Sequence, residues 1–285
     1  VLRGILDLYE ADGLKPVIAP EVEFFLVDRN TDPDVELRPP EGRSGRPETS
    51  RLSYSIDAVA EFEDFVEDMY DFAEAQALNV DTLIHENGTA QMEINFEHGD
   101  ALALADQVFV FKRTVRETAH RHGIYATFMA KPMEDECGSA LHIHQSIVRA
   151  DSSENIFATK DGEHTDAFLH YIGGLQHYTP ELISLYAPSV NSYRRLAPEI
   201  SAQINLNWGV DNRTTAFRVP QSPPEGMRVE NRFPGADVNP YLAIAASLAS
   251  GLLGIRRDSA AMVPTQTGEF LIPEIRIPWW DVESE

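Results

Sequence analysis

Residues 17–27 read Val-Ile-Ala-Pro-Glu-Val-Glu-Phe-Phe-Leu-Val, and their alternation is the clearest structural signal in the sequence. The β-branched and aromatic residues of this stretch predict a strand. Successive side chains of a strand point to opposite faces, so Glu21 and Glu23 share one face while Val22 and Phe24 lie on the other. A sheet built around this strand would have one apolar face and one face that carries carboxylates.

Three other segments show the same alternation of polar and apolar residues. Their polar members are Gln91, Glu93 and Asn95; His142, His144 and Ser146; and Arg228, Glu230 and Arg232. One such strand alone is typical of an antiparallel sheet with a solvated face. Four of them together, with neighbouring carboxylates, histidines and arginines, favour the lining of a single cavity that holds cations and anions side by side.

The remaining pattern predicts an α+β fold, in which one curved, largely antiparallel sheet forms a partial barrel with helices outside. Apolar residues at helical spacing predict helices at 57–78, 100–122, 166–186 with interruptions at Gly173-Gly174 and Pro180, and 240–255. Asp100 is the expected N-cap of the second helix and Gly123 its end. Further strands are expected at 125–130, 140–147, 202–208, 215–219 and 227–233, and residues 29–53 are predicted to form an exposed loop.

The composition argues against several function classes. The 285 residues carry a net charge of −23, which disfavours a nucleic-acid-binding surface but agrees with metal sites, cationic substrates or a salt-adapted surface. No run of apolar residues approaches the length of a membrane span. The single cysteine, Cys137, forms no internal disulfide, which favours the cytoplasm. Cys137 and His85 are interpreted as ordinary loop and packing residues.

The polar residues indicate metal-dependent phosphoryl transfer. Hard divalent cations prefer carboxylate oxygens, and Mn²⁺ also accepts imidazole. The residues that would supply two metal sites are Glu21, Glu23, Glu86, Glu93, His142 and Glu230. Arginines beside them would bind phosphate or carboxylate groups in a bidentate manner. The sequence shows no obvious nucleophile, no P-loop and no G-x-G-x-x-G motif, so the nucleotide site would be of neither the P-loop nor the Rossmann type.

Seven motifs in the chain resemble the catalytic domain of the glutamine synthetase family, in the family's order between residue 17 and about residue 255. They are Pro20-Glu-Val-Glu-Phe24, Glu86-Asn-Gly-Thr-Ala-Gln-Met-Glu93, Gly138-Ser-Ala-Leu-His-Ile-His-Gln-Ser146, Asn191-Ser-Tyr-Arg-Arg-Leu196, Asn212-Arg-Thr-Thr-Ala-Phe-Arg-Val-Pro220, Arg228-Val-Glu-Asn-Arg-Phe-Pro234 and Asn239-Pro-Tyr241. So many motifs in register make the resemblance specific.

The resemblance implies a role for each matched residue. Glu23, Glu86 and Glu93 match the ligands of a first Mg²⁺ or Mn²⁺, and Glu21, His142 and Glu230 match those of a second, which bridges the phosphates of ATP. His144 and Ser146 match residues that line the nucleotide, Arg213, Arg218 and Arg228 match arginines around the phosphates, and Gly138, Arg195 and Arg232 match the glutamate site. Family members form γ-glutamyl phosphate from ATP and glutamate, which an amine then attacks.

The chain departs from the ammonia-using members of the family. Those members carry a flap glutamate six residues after the arginine matched by Arg195, where this chain has Ser201, with Glu199 as the nearest candidate base. Residues 84–96, 111–117 and 125–132 resemble instead the γ-glutamylpolyamine synthetase branch, which uses putrescine-like amines. Glutamine synthesis from ammonia is the first alternative. A non-catalytic relative is the second, although such a protein should have lost ligands or arginines that this chain retains.

The resemblance also implies an assembly. Family members carry a small N-terminal β-grasp domain and form stacked rings, in which the N-terminal domain of one subunit completes the active site of its neighbour. Residues 1–285 then correspond to a catalytic domain without the β-grasp domain and with an incomplete C-terminal part. We therefore expect a homo-oligomeric ring, such as a dodecamer of two stacked hexamers, with glutamate, ATP and an amine as substrates.

Overall fold

The computed structural model describes residues 1–197 and 204–262. Within these residues one sheet has the strand order β2-β3-β1-β6-β9-β8-β7, and β4 and β5 also pair with β1. The strands are β1 (Leu14–Val27), β2 (Val80–His85), β3 (Gln91–Phe96), β4 (Gly99–Asp100), β5 (Tyr125–Thr127), β6 (Leu141–Arg149), β7 (Trp208–Val210), β8 (Phe217–Val219) and β9 (Val229–Asn231). All pairings are antiparallel except that of β7 with β8.

Eight α-helices accompany this sheet in the described part of the chain. They are α1 (Leu2–Ala11), α2 (Ile56–Ala60), α3 (Glu63–Ala75), α4 (Ala101–Arg121), α5 (Asp166–Tyr178), α6 (Ile183–Tyr186), α7 (Val190–Arg195) and α8 (Pro240–Arg256). Helix α4 packs on β1 and on α8, while α5 packs on α8. Val22 and Phe24 of β1 are fully buried in the core between sheet and helices. The predicted α+β class with a largely antiparallel sheet is therefore confirmed.

Local signals set several helix ends as predicted. The carboxylate of Asp100 accepts hydrogen bonds from the backbone N–H groups of Leu102 and Ala103, so it caps α4. Gly123 follows the end of α4 with a φ of +75°, a backbone conformation that glycine adopts without strain. Pro240 begins α8, where its missing N–H costs no hydrogen bond. None of the helices in the described ranges is long and apolar enough to cross a membrane.

Two predictions about the helices were wrong. The helix expected at 57–78 is two helices, α2 and α3, because the chain turns at Glu61 and Phe62 and buries the Phe62 ring in the core. The interruption expected at Gly173-Gly174 does not occur, and α5 runs through both glycines. A Cβ at Gly174 would lie 2.2 Å from the carbonyl oxygen of Ser250 in α8, and a Cβ at Gly173 would lie 2.1 Å from that of Ser259, just beyond α8, so close packing against α5 requires glycine at both positions.

Residues 29–53 contain no helix or strand and are mostly exposed, so the predicted exposed loop is confirmed, with one local exception. Part of this segment lies over the turn that follows β2, and the Glu48 carboxylate is almost completely buried there. Strands were also shorter than expected, since β5 ends at Thr127 and β7 begins only at Trp208. The predicted strand at 202–208 falls partly outside the described residues.

Candidate active site

A cavity of about 650 Å³ opens on the polar face of the sheet. All six residues predicted as metal ligands line it, together with Gly138 and four of the predicted arginines: Arg195, Arg213, Arg218 and Arg232. Residues separated by more than 200 positions in the sequence therefore converge, as the alternation along the four strands predicted.

The strand register explains this convergence. Glu23 of β1 lies opposite Glu93 of β3, and Glu21 lies opposite His142 of β6. On the other side of β6, His144 lies opposite Glu230 of β9. Directly opposed residues of an antiparallel pair point to the same face, so three strand pairings carry the acidic and imidazole groups onto one surface.

The carboxylates and imidazoles form three overlapping groups of potential metal ligands. Glu23, Glu86 and Glu93 form one group, whose ligand atoms all lie within 4.8 Å of one another. Glu21 belongs to the other two groups, once with Glu93 and His142 and once with His144 and Glu230. The Nδ1 atom of His142 lies 3.3 Å from a carboxylate oxygen of Glu21 and 3.6 Å from one of Glu230. The donor set of carboxylates and imidazole fits Mg²⁺ or Mn²⁺.

Burial and mutual repulsion leave three of these carboxylates with unfavourable negative charges. Burial raises the pKa of Glu23 to about 8, and the charge of Glu86 adds to the effect. Burial also raises the pKa of Glu86. The pKa of Glu93 lies well above its ordinary value, because the carboxyl group is buried and faces four other carboxylates. Bound divalent cations would remove this repulsion, so the electrostatics agree with a metal centre.

The histidine at this centre has the protonation state that a ligand requires. Burial, with the positive charge of Arg232, lowers the pKa of His142 to about 4. The imidazole is therefore neutral near pH 7 and has a free electron pair for a metal ion.

Arginines line the cavity beside the candidate metal ligands. Arg218 donates a hydrogen bond of 2.8 Å to Glu230, and Arg232 contacts the other oxygen of the same carboxylate. Burial tends to raise the pKa of Glu230, whereas the neighbouring histidines and Arg232 lower it below its ordinary value. The guanidinium groups of Arg218 and Arg232 belong to side chains that line the cavity. Such groups are suited to bind an anionic ligand.

Arg195 and Gly138 form the floor of the cavity at one end. Arg195 is buried and donates hydrogen bonds to the carbonyl oxygens of Phe233 and Arg232, at 2.8 and 3.1 Å. Burial lowers the pKa of Arg195 to about 10, so the side chain remains cationic at neutral pH. A Cβ at Gly138 would lie 2.6 Å from the Arg195 side chain, so only glycine permits this close approach.

The residues predicted to line the nucleotide lie beside the cavity. His144 contacts Glu21 at 2.8 Å through Nε2, and its Nδ1 atom accepts a hydrogen bond of 3.1 Å from Arg228. Ser146, two residues after His144 in β6, is half-buried. Arg213 stands at the exposed rim, where it donates to the Tyr54 hydroxyl at 2.9 Å. Glu199 and Ser201 lie outside the described residues.

Sequence reasoning missed several residues of this site. Tyr54 and Asn87 line the cavity, but both belong to loops without a period that could have indicated it. Gln91 lies on the predicted polar face of β3 and was not assigned a role. Its amide donates to the carbonyl oxygen of Gly138 at 3.1 Å and contacts Glu23 at 3.3 Å, and its oxygen accepts from the Cys137 thiol at 2.9 Å.

Comparisons with known proteins agree with this geometry. Residues 1–273 match the family described as glutamine synthetase, catalytic domain. The γ-glutamylputrescine synthetase PuuA of Escherichia coli is 39% identical over 261 residues, which cover 90% of this chain and 55% of that protein. The glutamine synthetase of Thermococcus kodakarensis is 35% identical over 257 residues, with coverage of 90% and 55%.

A solved structure, a complex of GmaS with ADP, superimposes with a TM-score of 0.76 at 28% identity and covers 92% of this chain and 59% of that one. The chain thus spans about 55% of the length of the curated relatives named above. The family match covers residues 1–273 and agrees with the motifs, the fold and the cavity, so the chain belongs to the glutamine synthetase family.

Proposed function

We propose that the protein containing this chain is an ATP-dependent ligase that joins the γ-carboxyl group of glutamate to an amine. The observation that carries this proposal is the convergence of six metal-ligand residues and four arginines on one cavity. Carboxylates and imidazole suit divalent cations, while arginines suit phosphate and carboxylate groups. The similarity to a GmaS structure with bound ADP supports a nucleotide substrate.

The cavity residues would divide the work between two substrates. Arg195, Arg232 and the backbone at Gly138 would hold the carboxylate end of glutamate, so that its γ-carboxylate oxygen points at the terminal phosphorus of ATP. Arg213 and Arg218 would stabilise the charge on the phosphoryl group during transfer, which is largely a task of positioning and charge neutralisation. The products of this step are γ-glutamyl phosphate and ADP.

The residues Glu23, Glu86 and Glu93 would hold one divalent cation, and Glu21, His142 and Glu230 would hold another. The cations would supply neutralisation of phosphate charge and polarisation of the phosphoryl oxygens. His144, Ser146 and Arg228 would fix the nucleotide beside them.

In the second step the nitrogen of an amine attacks the γ-carbonyl carbon of the acyl phosphate, and inorganic phosphate leaves. Ammonium and protonated alkyl amines have no free electron pair, so a base must first accept a proton. We propose Glu199 for this task. We favour a di- or polyamine, or another alkyl amine, over ammonia, because Ser201 replaces the flap glutamate and because the chain is similar to a γ-glutamylputrescine synthetase.

The full-length protein would act as a homo-oligomeric ring in which a neighbouring subunit completes each site. Residues 1–285 would then be a catalytic domain that needs an N-terminal domain for activity.

The acceptor is tested with a panel of amines. The full-length protein is incubated with glutamate, ATP, Mg²⁺ and either ammonium, an alkyl amine or a diamine, and the γ-glutamyl product is measured by mass spectrometry. We expect kcat/KM for one of the alkyl amines or diamines to exceed that for ammonium by about tenfold or more, which is about 1.4 kcal/mol of transition-state discrimination. Equal or better use of ammonium would contradict the choice of acceptor and favour glutamine synthesis.

A further inference from the structure

Residues 41–55 form a strap that lies over the turn following β2, and this strap carries a buried carboxylate. The Glu48 side chain is only 10% exposed. One of its oxygens accepts a hydrogen bond of 2.7 Å from the backbone N–H of Ala90 and lies 2.9 Å from Nε2 of His85. A buried carboxylate is costly unless it is paired, so this arrangement requires both partners.

His85 connects Glu48 with the backbone of Glu86. The His85 side chain is completely buried, and its Nδ1 atom lies 2.8 Å from the carbonyl oxygen of Glu86. A carbonyl oxygen can only accept, so Nδ1 carries a proton and donates it, while Nε2 faces the carboxylate of Glu48. The ring therefore lies between the Glu48 carboxylate on the strap and the backbone of Glu86, whose side chain is a candidate metal ligand.

Glu86 lies just beyond the last residue of β2 and begins the turn 86–90, so its position depends on what holds this turn. Each of the five backbone N–H groups of the turn donates a hydrogen bond. Three are local, to the carbonyl of Gln91 and to the side chains of Glu86 and Gln91. The other two come from outside the turn: Glu136 accepts from Thr89 at 3.3 Å and Glu48 accepts from Ala90 at 2.7 Å.

The backbone conformation of Ala90 is a further reason why this end of the turn needs a strong hydrogen bond. Its φ of +54° lies in the left-handed region, which is unfavourable for residues with a side chain and persists only where the surroundings enforce it. The shortest hydrogen bond from outside the turn is the one from Ala90 to Glu48, so Glu48 holds the strained end of the turn and, through His85, the end that carries Glu86.

We propose that Glu48 is a positioning residue that fixes Glu86 in the orientation needed to bind a divalent cation. The inference rests on the proposed function in taking Glu86 as a metal ligand. Hydrogen-bond partners behind a metal ligand commonly change metal affinity by about 10- to 100-fold when they are removed. Loss of Glu48 should therefore weaken the cation site formed by Glu23, Glu86 and Glu93 and spare the site formed by Glu21, His142 and Glu230.

The chain offers a matched control for this effect. Asp68 of α3 and His122, just after α4, form another carboxylate–imidazole contact of 2.9 Å, which lies between two helices and includes no residue of the cavity. Asp68→Asn and Glu48→Gln thus both remove a carboxylate charge from a contact with an imidazole, although the Asp68 side chain is 47% exposed and that of Glu48 only 10%. A purely structural role for Glu48 would lower stability without any selective change in metal binding.

The experiment measures Mn²⁺ binding to the full-length protein without substrates, by the electron paramagnetic resonance signal of free Mn²⁺. We expect Glu48→Ala and Glu48→Gln to raise the dissociation constant of one Mn²⁺ site by about tenfold or more and to leave the other within about threefold. Asp68→Asn should leave both sites unchanged. Should Glu48→Ala fail to fold, Glu48→Gln keeps the side-chain shape and carries the measurement.

Activity provides a second readout. With the amine that the wild type uses, the Glu48 variants should need about tenfold more Mg²⁺ for half-maximal rate, while kcat at saturating Mg²⁺ changes less than about threefold. Unchanged Mn²⁺ binding in a folded Glu48→Gln protein, or equal weakening of both sites, would overturn the proposal. A wild type that binds Mn²⁺ yet forms no γ-glutamyl amide would refute the proposed function, and the role of Glu48 would be judged on Mn²⁺ binding alone.

Discussion

The substitution Glu93→Gln should stabilise the protein when metal is absent and destabilise it when metal is present. Glu93 is buried, and its carboxylate belongs to two of the ligand groups whose atoms lie within 4.8 Å of one another. Two ionised carboxylates at that distance repel each other by about 3 kcal/mol at an effective dielectric constant of about 20. Partial protonation of the neighbours limits the gain, so we expect the free energy of unfolding of the metal-free protein to rise by about 2 kcal/mol near pH 8. That corresponds to an increase of roughly 4–8 °C in Tm.

The same reasoning fixes the dependence on pH. The pKa values of Glu23 and Glu93 are raised in the folded protein, so the folded state binds more protons than the unfolded state between the unfolded value of 4.5 and the folded value, which is about 8 for Glu23. The contribution of these two groups to the stability of the metal-free protein is therefore fully present below the unfolded pKa and is lost as the pH rises through the folded pKa. The benefit of Glu93→Gln should consequently be small near about pH 5 and largest near about pH 8.

Thermal unfolding followed by circular dichroism tests both statements, with a chelator and with saturating MgCl₂. Glu97→Gln is the matched control, because Glu97 is an exposed residue directly after β3 and its loss should change stability by less than about 0.5 kcal/mol. With Mg²⁺ present, Glu93→Gln should lose most of the stabilisation that the cation gives the wild type. The reasoning is refuted if Glu93→Gln lowers the metal-free Tm near about pH 8, or shifts Tm equally with and without Mg²⁺.

The remaining predictions concern catalysis and assembly. His142→Ala should abolish ATP turnover while circular dichroism still shows a folded protein, and full activity would contradict its role as a ligand. Arg218→Gln should lower kcat/KM for ATP by about 100-fold or more, since it removes a cation from the phosphoryl site, and an unchanged value in steady-state kinetics would exclude that role. The 285-residue chain alone should be inactive in a coupled ADP-release assay, whereas turnover as fast as that of the full-length protein would show that one chain builds the site. Ser201→Glu should raise the use of ammonium relative to alkyl amines, and a ratio that does not change in competition assays would count against the flap argument.

The sequence predicted the polar face of the sheet because strand periodicity is a strictly local property. Once Glu21, Glu23 and Glu93 occupy polar alternate positions in strands, a pairing that buries Val22 and Phe24 places the three carboxylates on the same face, and the observed register sets Glu23 opposite Glu93. Glu86 lies in a turn and has no period of its own, so it was named for its carboxylate and was then matched by the resemblance to the family. The six metal-ligand residues were thus named from the sequence, although their roles as ligands remain proposals.

The features that the sequence did not predict depend on contacts between distant segments. Glu48 lies in a stretch rich in proline, glycine and charged residues, which normally indicates exposure, and its burial arises only because the strap meets His85 across 37 positions. The continuous α5 has a similar cause, since the low helix propensity of Gly173 and Gly174 is outweighed by close packing against α8 and against Ser259 just beyond it. Local propensity is a weak guide where tertiary packing decides.

The central claim, that an acyl phosphate of glutamate is formed in the cavity and captured by an amine, is tested most directly by isotope transfer. Glutamate labelled with ¹⁸O in its γ-carboxyl group is incubated with the full-length protein, ATP, Mg²⁺ and the preferred amine, and the inorganic phosphate is analysed by mass spectrometry. Because the attacking oxygen stays on phosphorus when the amine displaces phosphate, the account predicts one ¹⁸O atom in each phosphate released and one in the γ-glutamyl amide. Phosphate free of ¹⁸O, released together with ADP, would contradict it.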